Sequence, residues 1–126
     1  MPGERILVVE DNELNMKLFR DVLVATGFRA LEATTGREAV ELAVEHEPDL
    51  VLMDIQLPDA DGVDVLHRLR TDDRTAAIPV LAVTAQAMHG DRERFLAAGF
   101  DGYVSKPVHV GELIDTVRQH CAGHAG

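Results

Sequence analysis

Leu50-Val51-Leu52-Met53-Asp54 is a short apolar run closed by a carboxylate. The run is too brief for a helix. A strand that is apolar at every position is buried on both faces, as in a parallel sheet covered by helices above and below. Ile6-Leu7-Val8-Val9 and Val80-Leu81-Ala82-Val83 have the same character. Ala30 to Ala33 and Tyr103-Val104-Ser105 are less apolar candidates for a second and a fifth strand.

Helical periodicity fills the gaps. Leu14, Leu18 and Val22 recur at i, i+4 and i+8 with Phe19 and Leu23 beside them, which predicts one apolar stripe ended by Gly27. Thr35 and Glu38 have capping-box spacing ahead of Ala39, Val40, Ala43 and Val44, and Pro48 stops that helix. Val63, Leu66 and Leu69, with Val65 at the margin, mark a third helix after Asp61-Gly62. Phe95, Leu96 and Ala98 mark a fourth, closed by Gly99, and Leu113, Ile114 and Val117 a fifth. Strand–helix alternation repeated in this way predicts an α/β domain, doubly wound about a five-stranded parallel sheet with five helices.

Composition bounds the function. The 126 residues are expected to form a single domain with its core at about 4–121 and a short frayed tail over 122–126. A net charge of −10 argues against direct nucleic-acid binding, which calls for a basic face. The single cysteine, Cys121, excludes an internal disulfide and any CxxC metal site, and a reducing, cytoplasmic setting is expected. No apolar run is long enough to span a bilayer, and the first residues do not read as a signal peptide. The six histidines show no ligand spacing.

In doubly wound sheets ligands bind at the carboxyl ends of the strands. The residues that follow the apolar runs are Glu10 and Asp11, then Asp54, then Thr84, then Lys106 and Pro107. Each alone has an ordinary role: Asp11 or Asn12 as a helix cap, Asp54 as a turn carboxylate, Thr84 as a strand-end hydroxyl, Lys106 as a solvated charge. Together they occupy one topological position on four strands. Two carboxylates about 4 Å apart repel by roughly 4 kcal/mol at an effective dielectric near 20, so either their pKa values rise or a cation enters. Mg²⁺ suits such oxygens, and a threonine hydroxyl and a lysine suit phosphoryl oxygens. A carboxylate can itself be the nucleophile and form an acyl phosphate.

The pieces Val8-Val9-Glu10-Asp11-Asn12, Leu52-Met53-Asp54-Ile55-Gln56-Leu57-Pro58 with Asp61-Gly62, Pro79-Val80-Leu81-Ala82-Val83-Thr84-Ala85, and Ser105-Lys106-Pro107 resemble, in order and spacing, the receiver domain of two-component response regulators. The resemblance implies the strand order 2-1-3-4-5 of the flavodoxin- and CheY-like fold. It implies that Asp54 accepts a phosphoryl group from a histidine kinase or phosphotransfer protein. It implies Mg²⁺ bound by Asp11, Asp54 and the backbone carbonyl of Gln56, with Glu10 acting indirectly through water or Lys106. Thr84 and Lys106 would hold the phosphoryl oxygens, Tyr103 would be a switch aromatic following Thr84, and Lys106-Pro107 would be cis. Gln56 and Gln86 would tune the phosphoryl lifetime. Ala85, Ala87, Met88 and Tyr103 would form the face met by a downstream protein target. The first acidic pair is Glu-Asp where many relatives have Asp-Asp.

Glu10-Asp11-Asn12-Glu13-Leu14-Asn15-Met16-Lys17-Leu18-Phe19 and Ala87-Met88-His89-Gly90-Asp91 further resemble the stand-alone DivK-type regulators of bacterial cell division and polarity. That likeness implies a monomer or weak homodimer without an output domain, catalysing only its own phosphorylation and dephosphorylation. Three other readings compete. A phosphohydrolase of the haloacid-dehalogenase type would need a second aspartate where Gln56 stands. A flavodoxin-type carrier would need a neutral phosphate loop where Glu10-Asp11 stands. A receiver that binds partners without being phosphorylated would have no need of the intact site.

Overall fold

The apolar runs become strands at the centre of a sheet. The computed structural model describes residues 3–85 and 91–121. In chain order these form β1 (Arg5–Val9), α1 (Glu13–Ala25), β2 (Arg29–Ala33), α2 (Gly36–His46), β3 (Leu50–Asp54), α3 (Gly62–Thr71), β4 (Val80–Thr84), α4 (Asp91–Ala98), β5 (Gly102–Ser105) and α5 (Val110–His120). The strands pair in parallel in the order β2-β1-β3-β4-β5. This is the predicted doubly wound architecture and strand order. Residues 122–126, read as a tail, lie outside the described residues.

The continuous hydrophobicity of β1, β3 and β4 follows from burial on both faces. Leu7, Val9, Val51, Met53, Val80 and Ala82 face one core, closed by Ala39 and Ala43 of α2, Val65, Leu66 and Leu69 of α3 and Phe95 of α4. Ile6, Val8, Leu50, Leu52, Leu81 and Val83 face the other, closed by Met16, Phe19 and Leu23 of α1 and Leu113 and Val117 of α5. Phe95 and Phe100 meet edge to face with centroids 6.1 Å apart, and Gly99, with φ at +113°, makes the turn between them.

Helix ends follow the local signals. Asn12 caps α1 by accepting from the Asn15 N–H, and Gly27 ends it in the left-handed region. Thr35 caps α2 through the Glu38 N–H, but the return arm of the box shifts by one residue: Glu38 accepts from the N–H of Thr34. Arg70 of α3 donates to the carbonyls of Ala76 and Ile78 and pairs with Asp101 at 3.0 Å, tying the amino end of β4 to the turn before β5.

Two helix phases differ from the periodic reading. In α1 the buried stripe is Met16, Phe19 and Leu23, while Leu14 is 79% exposed. In α3, Val65 is fully buried and Val63 only partly so. Periodicity sets the repeat but not its phase, and where several apolar residues are adjacent the neighbouring elements decide which turn inward. Phe19→Ala should therefore cost about 3–5 kcal/mol. Leu14→Ala should stay within about 0.5 kcal/mol, as surface changes do. Urea unfolding of the two variants checks this, and a larger loss for Leu14→Ala would contradict the observed phase.

Candidate functional site

Strand register assembles the site. Val9 of β1 lies opposite Met53 of β3, so the next residues, Glu10 and Asp54, stand side by side at the carboxyl edge. The pleat then turns both side chains to the same face of the sheet. Glu10 is 1% exposed and Asp54 5% exposed. Lys106 is delivered from the far side: its N–H donates to the Thr84 carbonyl at 2.8 Å, continuing the β4–β5 pairing beyond Ser105. Its Nζ then lies 3.0 Å from Glu10 Oε1 and 3.0 Å from Asp54 Oδ2. The Lys106–Pro107 peptide that follows is cis.

The remaining carboxylate oxygens are held by backbone. Asp54 Oδ1 accepts from the Gln56 N–H at 2.9 Å, and Glu10 Oε2 accepts from the Asn12 N–H at 3.3 Å. Beyond Asp54 the chain reverses. Gln56 bridges antiparallel to Asp61, and the Gly62 N–H donates to the Ile55 carbonyl at 2.8 Å. Gly62 presses onto the backbone that ends β3: a Cβ there would lie 2.6 Å from the Asp54 carbonyl oxygen and 2.9 Å from Ile55 Cα. A residue without a side chain is what lets α3 begin against the end of β3. Asp61 caps α3 through the Val63 N–H.

The electrostatics are unbalanced. Burial first, and then the hydrogen bond shared with Asp54, raise the Glu10 carboxyl to about 6, against the lowering pull of Lys106 and the Asn12 N–H. Burial pulls Lys106 down, but its two carboxylate partners outweigh this and hold the ammonium above its ordinary range. Among the described residues, Glu10 Oε1 pairs with Nζ but has no donor in hydrogen-bond geometry. Oxygens of Glu10, Asp11 and Asp54 lie within 4.8 Å of one another. Three carboxylates, one of them with an under-satisfied buried oxygen, are a donor set that fits a hard divalent cation. The cluster opens into a cleft of about 770 Å³, whose walls include Thr84, Gln56 and Lys106.

The comparisons with known proteins agree with this geometry. Residues 6–118 match the response regulator receiver domain family.

The chain belongs to that family.

It is 50% identical over 115 residues to the polar-differentiation response regulator DivK of Brucella anthropi, covering 91% of this chain and 94% of that protein. The Brucella melitensis DivK matches with the same identity and coverage. Among solved structures, the receiver domain of a Pseudomonas aeruginosa sensor histidine kinase superposes with a TM-score of 0.86 at 35% identity, covering 94% of this chain and 97% of that one. That structure has a magnesium ion coordinated in its active-site cleft. CheY4 of Vibrio cholerae shares the fold, with a TM-score of 0.87 at 22% identity over 94% of this chain and 98% of its own.

In this receiver domain the sequence-predicted residues Glu10, Asp11, Asp54, Gln56, Thr84 and Lys106 converge on one cleft. Asp11 is exposed and the capping role falls to Asn12. Ala85 is exposed at the end of β4 and Tyr103 is half-buried on β5. Gln86, Ala87 and Met88 lie outside the described residues. Two contributors escaped the sequence reading. One is Gly62, legible in hindsight from the Asp-Gly helix start; the other is Asp59, whose partners are more than 20 residues away.

A pH signature follows for the metal-free receiver. Glu10 binds its proton more tightly folded than unfolded, about 6 against 4.5. Between those values the folded state holds the extra proton, so stability contributed by this group falls as pH rises through that window and is flat above it. In chelator, wild type minus Glu10→Gln stability should show that fall. Equal pH profiles for the two proteins would contradict the burial cost assigned to Glu10.

Proposed function

We propose that this receiver domain is a Mg²⁺-dependent phosphoryl acceptor, with Asp54 the acceptor and a histidine kinase or histidine phosphotransfer protein the donor. The observation that carries the reading is the placement of Lys106 Nζ at 3.0 Å from both Glu10 and Asp54, inside an acidic cluster at the floor of an open cleft. A half-buried lysine would not be needed to neutralise one strand-end aspartate. Shared between two carboxylates, it is poised to follow charge when one of them changes.

In the transfer, a carboxylate oxygen of Asp54 forms the new O–P bond as the N–P bond of the donor phosphohistidine breaks. The imidazole leaves and Asp54 becomes an acyl phosphate. The Gln56 N–H holds the other Asp54 oxygen and so orients the attacking one. Mg²⁺, held by Asp11, Asp54 and the Gln56 carbonyl, with Glu10 acting through water or Lys106, would spread the charge of the transferred oxygens. Lys106 Nζ moves with the charge from the esterified carboxylate to a phosphoryl oxygen. The Thr84 hydroxyl donates to another.

The output follows from register. Ala82 pairs with Tyr103, and Thr84 pairs with Ser105. By strand alternation Thr84 and Tyr103 therefore share one face of the sheet as diagonal neighbours, close enough to feel each other's position. A shift of Thr84 toward the phosphoryl group makes room for Tyr103. This changes the face that includes Ala85 and Tyr103, which we assign with Ala87 and Met88 to a downstream protein. Gln56 is exposed beside Asp54, and we assign to it and to Gln86 the tuning of the acyl-phosphate lifetime. The likeness to DivK supports a part in bacterial polarity or cell-division control, exercised in the cytoplasm through protein contacts.

Incubated with Mg²⁺ and a small-molecule phosphodonor, the protein should gain the mass of one phosphoryl group. Asp54→Asn should gain none while staying folded, chelator should abolish the gain, and Lys106→Ala should slow it by about 10²-fold, the usual cost of one charge-stabilising donor. Labelling that persists in Asp54→Asn would overturn the assignment of the acceptor. No gain by wild type from either a small donor or a phosphorylated kinase would favour a receiver that binds partners without phosphorylation.

A further inference from the structure

We infer that Asp59 is a positioning residue for the acceptor site: its carboxylate ties the β3–α3 loop, which carries Gln56, to the amino end of α2. This rests on the proposed phosphoryl-acceptor reading and extends it to a residue outside the cleft.

Asp59 Oδ1 accepts from the Gly36 N–H at 2.7 Å and Oδ2 from the Arg37 N–H at 3.1 Å. The two elements are also in steric contact. A Cβ on Gly36 would lie 2.6 Å from Val65 Cγ2 of α3, 3.3 Å from Ala60 Cβ and 3.4 Å from Asp59 Oδ1. The first turn of α2 thus sits against the loop with no room for a side chain. The two N–H donors, strongest of them Gly36, hold the Asp59 carboxyl below its usual range.

A plain helix-cap role accounts for less than this. The α2 terminus has its own cap: Thr35 Oγ1 accepts from the Glu38 N–H, and the Thr35 carbonyl accepts from Ala39. What Asp59 adds is a tether for the loop. Among the described residues, the other hydrogen bonds of 56–61 stay local: Gln56 to Asp54, Gly62 to Ile55, and Asp61 to the first turn of α3. Those bonds close the reversal, and Leu57 and Ala60 pack against the core, but none of them ties the tip to α2. Asp59, three residues beyond Gln56, anchors it. A metal-ligating carbonyl binds well only when its direction is fixed before the ion arrives.

The test compares two variants that weaken the same helix end. Asp59→Ala removes the tether; Thr35→Ala removes the cap and leaves the loop bonds in place. Mg²⁺ affinity is measured by calorimetry, and amide exchange at Gln56 and Gly62 by NMR in metal-free protein. Asp59→Ala should weaken Mg²⁺ binding about tenfold, the low end for groups that orient metal ligands. It should also speed exchange at both amides, and saturating Mg²⁺ should restore the phosphorylation rate. Thr35→Ala, at similar loss of stability, should leave affinity and exchange at the two amides unchanged. If Asp59→Ala is too unstable, Asp59→Asn, which keeps one acceptor oxygen, should show smaller shifts in the same directions. Matching behaviour of the Asp59 and Thr35 variants would reduce Asp59 to a helix cap and overturn the inference. A wild type that binds no Mg²⁺ would overturn the acceptor reading and the inference with it.

Discussion

Two carboxylates forced side by side by strand register are the constraint around which this domain is organised. Glu10 and Asp54 follow directly from the opposed pair Val9 and Met53, and the pleat gives them no way to turn apart. Each is nearly withdrawn from water. At about 4 Å and an effective dielectric near 20, such a pair costs roughly 4 kcal/mol unless positive charge is supplied. The fold supplies one charge through Lys106. Asp11 brings a third carboxylate to the cluster, so one lysine does not balance it. The cluster therefore keeps an excess of negative charge that a further cation would balance, and a change of charge at Asp54 would draw a response from its neighbours.

The sheet gives that response somewhere to go. Lys106 and Thr84 are joined by a backbone hydrogen bond at the carboxyl edge, while their side chains serve the cleft. Tyr103 is packed against the core on the α2–α3–α4 side of the sheet. Thr84 falls on that same side by alternation from Ala82. Glu10 and Asp54, alternating from Val9 and Met53, fall on the opposite side, with α1 and α5. The Asp54 cluster and Tyr103 thus lie on opposite faces of the sheet, with Thr84 at the strand end between them.

Much of this was legible because the burial is two-sided. Strands covered on both faces read as unbroken apolar runs, so β1, β3 and β4 stand out, and their ends locate Glu10, Asp54 and Thr84 without further information. The edge strands β2 and β5 are less buried and correspondingly fainter. Helix phase was less legible. Of the stripe read from Leu14, Leu18 and Val22 with Phe19 and Leu23 beside them, Phe19 and Leu23 are buried and Val22 packs against them. Leu14 turns out and Met16 turns in, a phase chosen by the sheet and α5 rather than by spacing. The local half of the α2 cap could be read from Thr35 and Glu38; the long-range half could not. Nothing near Asp59 in the chain says which helix end its carboxylate meets.

That last gap has a physical meaning. Local signals describe how an element begins and ends, whereas a site needs elements fixed relative to one another. Gly62 and Gly36 do this by omission, each sitting where a Cβ would come within 2.6 Å of a neighbouring atom. The first seats α3 on the backbone of Asp54 and the second seats α2 on the loop that follows it. Both contacts lie on the α2–α3 side, whereas Asn12 and Lys106 reach the site from β1 and β5. Asp54 is therefore braced from both directions along the sheet edge. A change of charge at Asp54 would thus meet a backbone packed against Gly62 and a side chain already paired with Lys106.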